Sequence, residues 1–170
     1  MRYATIIFFL LFSANIAGQT TGSDVTFAEY KNQILLVRKD AMKATGKLTS
    51  GELVSVGCEQ NNCFFEIEYK TRKLRQVVGD DITRLTIYEF DFNADGDLEL
   101  VVVNDFRGTS FLYVFSYSRG IILKLFEKEI KTDKIIIKKD YIEHYLPSGI
   151  DTVWHYYQGQ FWTMTPYKLP

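Results

Sequence analysis

The chain is poor in the residues that most often carry chemistry. It has two histidines, two cysteines and three prolines in 170 residues. No His-Glu-x-x-His metalloprotease signature occurs. No nucleophile-elbow glycine pattern accompanies a Ser-His-Asp order. Charge of one sign is also lacking, with 20 basic against 21 acidic residues and a net charge of −1. Nucleic acid needs a clustered basic face, and an anionic membrane surface needs a polybasic segment; the sequence offers neither. There is no fixed-period repeat. These absences point away from an enzyme and from a nucleic-acid partner.

What is present begins at the N-terminus. Arg2 is followed by the apolar run "ATIIFFLLF" and then by the small residues of "SANIAGQ". This is the layout of a secretory signal peptide, and its apolar core is too short to span a bilayer. Cleavage after Ala17 or Gly18 is expected, and no cysteine stands near the cut to carry a lipid. The product is a secreted or periplasmic protein without a membrane span. Residues 19–170 then form one domain of 152 residues, long enough to bury a real core. Removing Arg2 leaves 19 bases against 21 acids, a charge of about −2. Aromatics make up 15% of the chain, and the apolar fraction is too high for disorder.

Cys58 and Cys63 sit in "VSVGCEQNNCFFEIEY", two β-like runs joined by a polar tip. An oxidising compartment favours a disulfide, and a hairpin tip can bring the two side chains within reach. The spacing is wider than in thiol oxidoreductases, and no further zinc ligands lie nearby.

From Glu52 onward, short β-branched and aromatic runs recur roughly every ten residues, separated by polar or glycine turns. They are 53–56, 64–69, 74–78, 85–90, 98–103, 111–117, 121–126, 135–137, 153–157 and 161–164. That rhythm predicts an antiparallel all-β domain: a sandwich, a barrel or a propeller-like meander. Residues 24–43 are the exception. Phe27, Tyr30, Ile34, Val37 and Ala41 fall at helical steps and predict one N-terminal helix, although "QILLV" would also serve as a strand.

One stretch, "YEFDFNADGDLELVVV", sets dense negative charge beside an apolar run. Counting Asp91 as one, Asn93 is three, Asp95 five, Gly96 six, Asp97 seven and Glu99 nine. Oxygen ligands at one, three and five point at a common centre. Glycine at six permits the sharp turn, and position seven offers its carbonyl. Hard oxygen donors without imidazole or sulfur suit Ca²⁺. An EF-hand would need a bidentate glutamate at twelve, and that position is Val102. Four carboxylates within nine residues repel one another unless a cation or donors compensate them. A site of about 10⁻⁴–10⁻³ M, as in extracellular modules, would fill outside the cell.

The segment "DFNADGDLELVVV" resembles the D-x-[DN]-x-D-G-x-x-[DE]-L-V-V loop and strand of FG-GAP and VCBS-type repeats. In that family the loop binds calcium and leads into a propeller-blade strand. By position, the resemblance implies side-chain oxygens from Asp91, Asn93, Asp95 and Glu99, and the carbonyl of Asp97. Glu99 departs from the family's usual aspartate at nine. A single such loop excludes a propeller built from repeats of this motif. The closing segment "TVWHYYQGQFWTM" adds a looser similarity, and the overall size is similar to small propeller-like periplasmic lysozyme inhibitors and immunity proteins.

His155 stands in strand alternation and reads as a packed or half-exposed strand residue; His144, beside a turn, reads as a surface residue. Asp80, Asp81, Asp105, Glu143 and Asp151 are the carboxylates that could converge for glycoside chemistry, with nothing in the sequence favouring it. Aromatics dominate β cores, so Trp154, Tyr156, Tyr157, Phe161 and Trp162 suit a core. Trp154, Tyr156 and Trp162 are also the candidates for an exposed partner-binding hot spot or a sugar platform. Alternation sets aromatics on both faces of this hairpin and leaves the buried face open. The expectation is an exported, calcium-binding, non-enzymatic β domain that binds a protein, in the manner of an envelope-enzyme inhibitor or immunity factor. A carbohydrate- or surface-binding adhesion module is the alternative.

Overall fold

The computed structural model describes residues 24–39, 44–106, 108–131 and 134–164; the expected signal peptide, residues 1–18, lies outside them. The described chain is all-β. Two short strands come first, β1 (Asp24–Phe27) and β2 (Asn32–Arg38). A meander follows: β3 (Thr45–Lys47), β4 (Leu53–Glu59), β5 (Asn62–Tyr69) and β6 (Arg72–Gly79). The second meander is β7 (Arg84–Phe90), β8 (Glu99–Phe106), β9 (Thr109–Ser118) and β10 (Ile121–Ile130). The third is β11 (Lys134–Lys138), β12 (Tyr141–Leu146), β13 (Gly149–Tyr157) and β14 (Gln160–Met164).

Each meander is one antiparallel sheet of neighbouring strands. β2 joins the second sheet beside β7, and β1 joins the third beside β11 in the one parallel pairing among the described residues. The sheets stack as layers and do not close into a barrel. One apolar cluster fills the space between the first and second sheets; another lies between the second and third. The second sheet is therefore the middle layer.

This position explains the run after the acidic loop. Along β8, Leu100 and Val102 enter the first cluster, while Val101 and Val103 enter the second. Side chains alternate along a strand, so the part of a strand covered on both faces reads as a continuous apolar run, here Leu100 to Val103. β9 repeats this, with Tyr113 and Phe115 on one side and Leu112 and Val114 on the other. Edge-to-face contact of Phe65 with Phe115 joins the first layer to the second. Phe126 against Trp154 and Phe161 joins the second to the third.

A helix is expected over 24–43; in its described part, residues 24–39, two strands stand instead. Phe27 of β1 packs into the second cluster and Val37 of β2 into the first. The helical spacing is thus a coincidence across the turn at 28–31, and it joins residues serving different layers. Ala41 lies outside the described residues. A strand not expected, β12, carries Glu143 and His144, whose polarity hides it among its neighbours.

Cys58 and Cys63 form a disulfide, directly opposite one another at the tip of the β4–β5 hairpin. Gln158 and Gly159 make the tight β13–β14 turn, both with positive φ. At the β9–β10 turn a Cβ on Gly120 would stand 2.4 Å from the Tyr69 ring, so only glycine lets the first and second layers meet there.

Candidate metal centre and outer face

Residues 91–98 connect β7 to β8 with a tight coil. Ala94 and Gly96 take left-handed backbone, with φ of 57° and 89°; glycine alone adopts this freely. The side-chain oxygens at positions one, three and five then turn back onto the loop. Asp91 Oδ2 accepts the Gly96 N–H at 3.1 Å. Asn93 Oδ1 accepts the Asp95 N–H at 3.3 Å, and Asp95 Oδ1 accepts the Asp97 N–H at 2.8 Å. The Asn93 amide donates to Asp95 Oδ2 at 2.6 Å. These bonds compensate part of the mutual repulsion and preform the turn.

Asp91 Oδ1 differs: it is shut off from solvent and has no hydrogen-bond partner. A buried carboxylate oxygen left so is costly. Asp91, Asn93 and Asp95 carry oxygen donors of the kind that hard cations take. Asp97 is exposed at position seven. Glu99 is buried, with both oxygens already served. Oε1 accepts the Tyr156 hydroxyl at 2.7 Å, and Oε2 accepts the Phe92 N–H at 3.2 Å. Among the described residues no three carboxylate, imidazole or thiolate groups stand together at metal-binding spacing. Glu99 faces the third sheet, and Asn93 adds an amide rather than an acid.

Burial pushes the Glu99 carboxyl above its ordinary range, against the opposing pull of Tyr156 and the Phe92 N–H. The Tyr156 hydroxyl is raised too, by burial first and by its hydrogen bond to Glu99 second. The pair ties the start of β8 to β13. A backbone relay does the same: Asp140 N–H donates to Phe92 C=O at 2.6 Å, and Tyr156 N–H donates to Asp140 C=O at 2.7 Å.

Of the three aromatics considered for partner binding, only Trp162 stands outside, at 58% exposure. Tyr156 is buried, and Trp154 packs against Phe126 in the second cluster. The middle layer covers that face of β13, so both are core residues rather than surface ones. Tyr157 and Met164 join Trp162 on the outer face. There Tyr141, His155 and Trp162 are register partners across three strands. With Asp140, Tyr156, Tyr157 and Met164, His155 and Trp162 line an open concavity of about 590 Å³.

His144 is buried, not on the surface, with its ring 6.0 Å from Trp154 and Nδ1 3.1 Å from Asp151 Oδ2. His155 is half-buried against Tyr141. The scattered carboxylates go to separate partners. Asp81 pairs with Lys39, Asp105 with Arg84, and Glu143 with Lys138. Two residues outside the sequence reading also matter. Glu89, buried, accepts the Thr49 N–H and the Asn32 amide. Asp140 sits at the rim of the concavity, and a lone turn aspartate gave no signal for it.

No known protein family, curated protein or solved structure matches the chain.

Proposed function

We propose that this chain is an exported, calcium-stabilised β domain that binds another protein and catalyses no reaction, as an inhibitor or immunity factor against an envelope-targeting enzyme would. The observation that carries the metal part is Asp91 Oδ1, a buried oxygen without a donor in a D-x-N-x-D-G loop. Calcium bound by Asp91, Asn93, Asp95 and the Asp97 carbonyl would fix where β8 begins, beside Glu99, whose oxygens the Tyr156 hydroxyl and the Phe92 N–H already hold. Because β8 is buried on both faces, that is where a fixed register matters most.

The binding part rests on Trp162, Tyr157 and Met164, large apolar side chains left exposed on the outer face of the third sheet. Exposed aromatics grouped in this way suit a partner-binding hot spot. The test is calorimetric titration of the protein with calcium, then binding to purified envelope hydrolases with and without chelator. One calcium per chain and a stoichiometric protein complex are expected, with Trp162→Ala abolishing the complex. Absence of both would overturn the proposal.

A second reading, a carbohydrate- or surface-binding module, is favoured by the in-register row of Tyr141, His155 and Trp162. Retention on glycan arrays with no stoichiometric protein partner would put it first.

A further inference from the structure

The concavity on the outer face carries more chemistry than an apolar patch does. Tyr157, Trp162, Met164, His155 and Tyr156 line it. The one formally charged residue in this lining is Asp140, and no lysine or arginine shares it. Asp140 is held firmly. Its φ is 67°, and its N–H and C=O are both taken, by Phe92 and by Tyr156.

The same face already shows how such groups are filled. Lys138 Nζ lies 5.3 Å from the centre of the Tyr141 ring and 3.0 Å from Glu143 Oε2. A cation over an aromatic ring, backed by a carboxylate, is thus complete one step along the sheet. At the concavity the rings and the carboxylate are present, and the nearby Lys138 is already engaged.

We propose that the concavity takes the basic side chain, arginine or lysine, of a protein partner. The rings of Trp162 and Tyr157 would hold the cation by its attraction to their faces, and Asp140 would pair with it. Ring-face attraction is worth about 0.5–2 kcal/mol depending on desolvation, and guanidinium stacks as well as pairs. An uncharged apolar group would cover Asp140 without satisfying it. An anion would be repelled. The proposal rests on the protein-binding reading above and names what the partner must bring.

The test uses the protein's two tryptophans. Their indole N–H resonances separate the surface probe, Trp162, from an internal reference, Trp154. Titration with N-acetyl-arginine methylamide is expected to shift the Trp162 resonance saturably and leave Trp154 in place. The uncharged citrulline counterpart is expected to bind at least about fivefold more weakly, the discrimination of a modest ion pair. Asp140→Asn should lower arginine binding to the citrulline level. Asparagine accepts the left-handed backbone, and an otherwise unchanged amide spectrum reports that the fold is kept. Equal binding of the two probes, no saturable shift of Trp162, an unaffected Asp140→Asn variant, or saturation by maltotriose instead would overturn the inference. An unresponsive concavity in a protein that still forms its Trp162-dependent complex sinks this inference alone. An arginine response with no protein complex sinks the protein-binding reading, and with it the partner as the source of the side chain, while the cation site itself stands.

Discussion

Asp91 and Glu99 open and close the acidic loop, and the fold treats them oppositely. Asp91 keeps one buried oxygen without a donor, while Glu99 has a donor on each. Removing the donor from Glu99 should be expensive. Tyr156→Phe leaves a buried carboxylate oxygen bare and is expected to lower stability by about 1–3 kcal/mol in urea unfolding. Glu99 also sets a pH dependence. Its folded carboxyl holds a proton at higher pH than the unfolded one, so the folded state binds more protons in that window. Stability from this group is therefore present at low pH and is lost as pH rises from the ordinary glutamate range through the raised folded value. In chelator, the stability of wild type relative to Glu99→Gln is expected to fall with rising pH across that window. A difference that does not change with pH would contradict this placement of Glu99.

At the scale of elements, β8 is the strand that meets two cores. Val101→Ala and Val102→Ala point to opposite layers, yet each is expected to cost about 2 kcal/mol. A strand with one solvated face would show a large cost at one and almost none at the other. The β4–β5 disulfide closes a short loop, so replacing both cysteines by alanine should cost about 2 kcal/mol, at the low end for a disulfide. Strands were legible wherever apolar and aromatic residues cluster, and the sharp turn of the acidic loop was legible because Gly96 marks it. The segment 24–39 misled because its apolar spacing spans two strands in two sheets. β12 hid behind Glu143 and His144, which become acceptable inside only through Lys138 and Asp151. Nor could alternation tell Trp154 and Tyr156 from His155 and Tyr157. That choice is made by Phe92 and Phe126, which arrive from elsewhere in the chain.

For the whole molecule, the acidic loop stands at the junction of the middle and third layers. Through Phe92, Asp140 and Tyr156 it touches the backbone that floors the outer concavity. The acidic loop, the register of β8 and the outer face thus share one hydrogen-bonded frame. Trp162 adds to none of the apolar clusters, so Trp162→Ala is expected to change stability by no more than about 0.5 kcal/mol while removing partner binding.

The central claim is that calcium completes the loop and so stabilises the fold. Thermal melting in calcium and in chelator, for wild type and Asp95→Ala, tests it most directly. A site of 10⁻⁴–10⁻³ M at about 10 mM calcium should raise the wild-type melting temperature by about 3–10 °C. The Asp95→Ala protein should melt at the same temperature in both. Equal shifts in the two proteins, or no shift in wild type, would contradict the account.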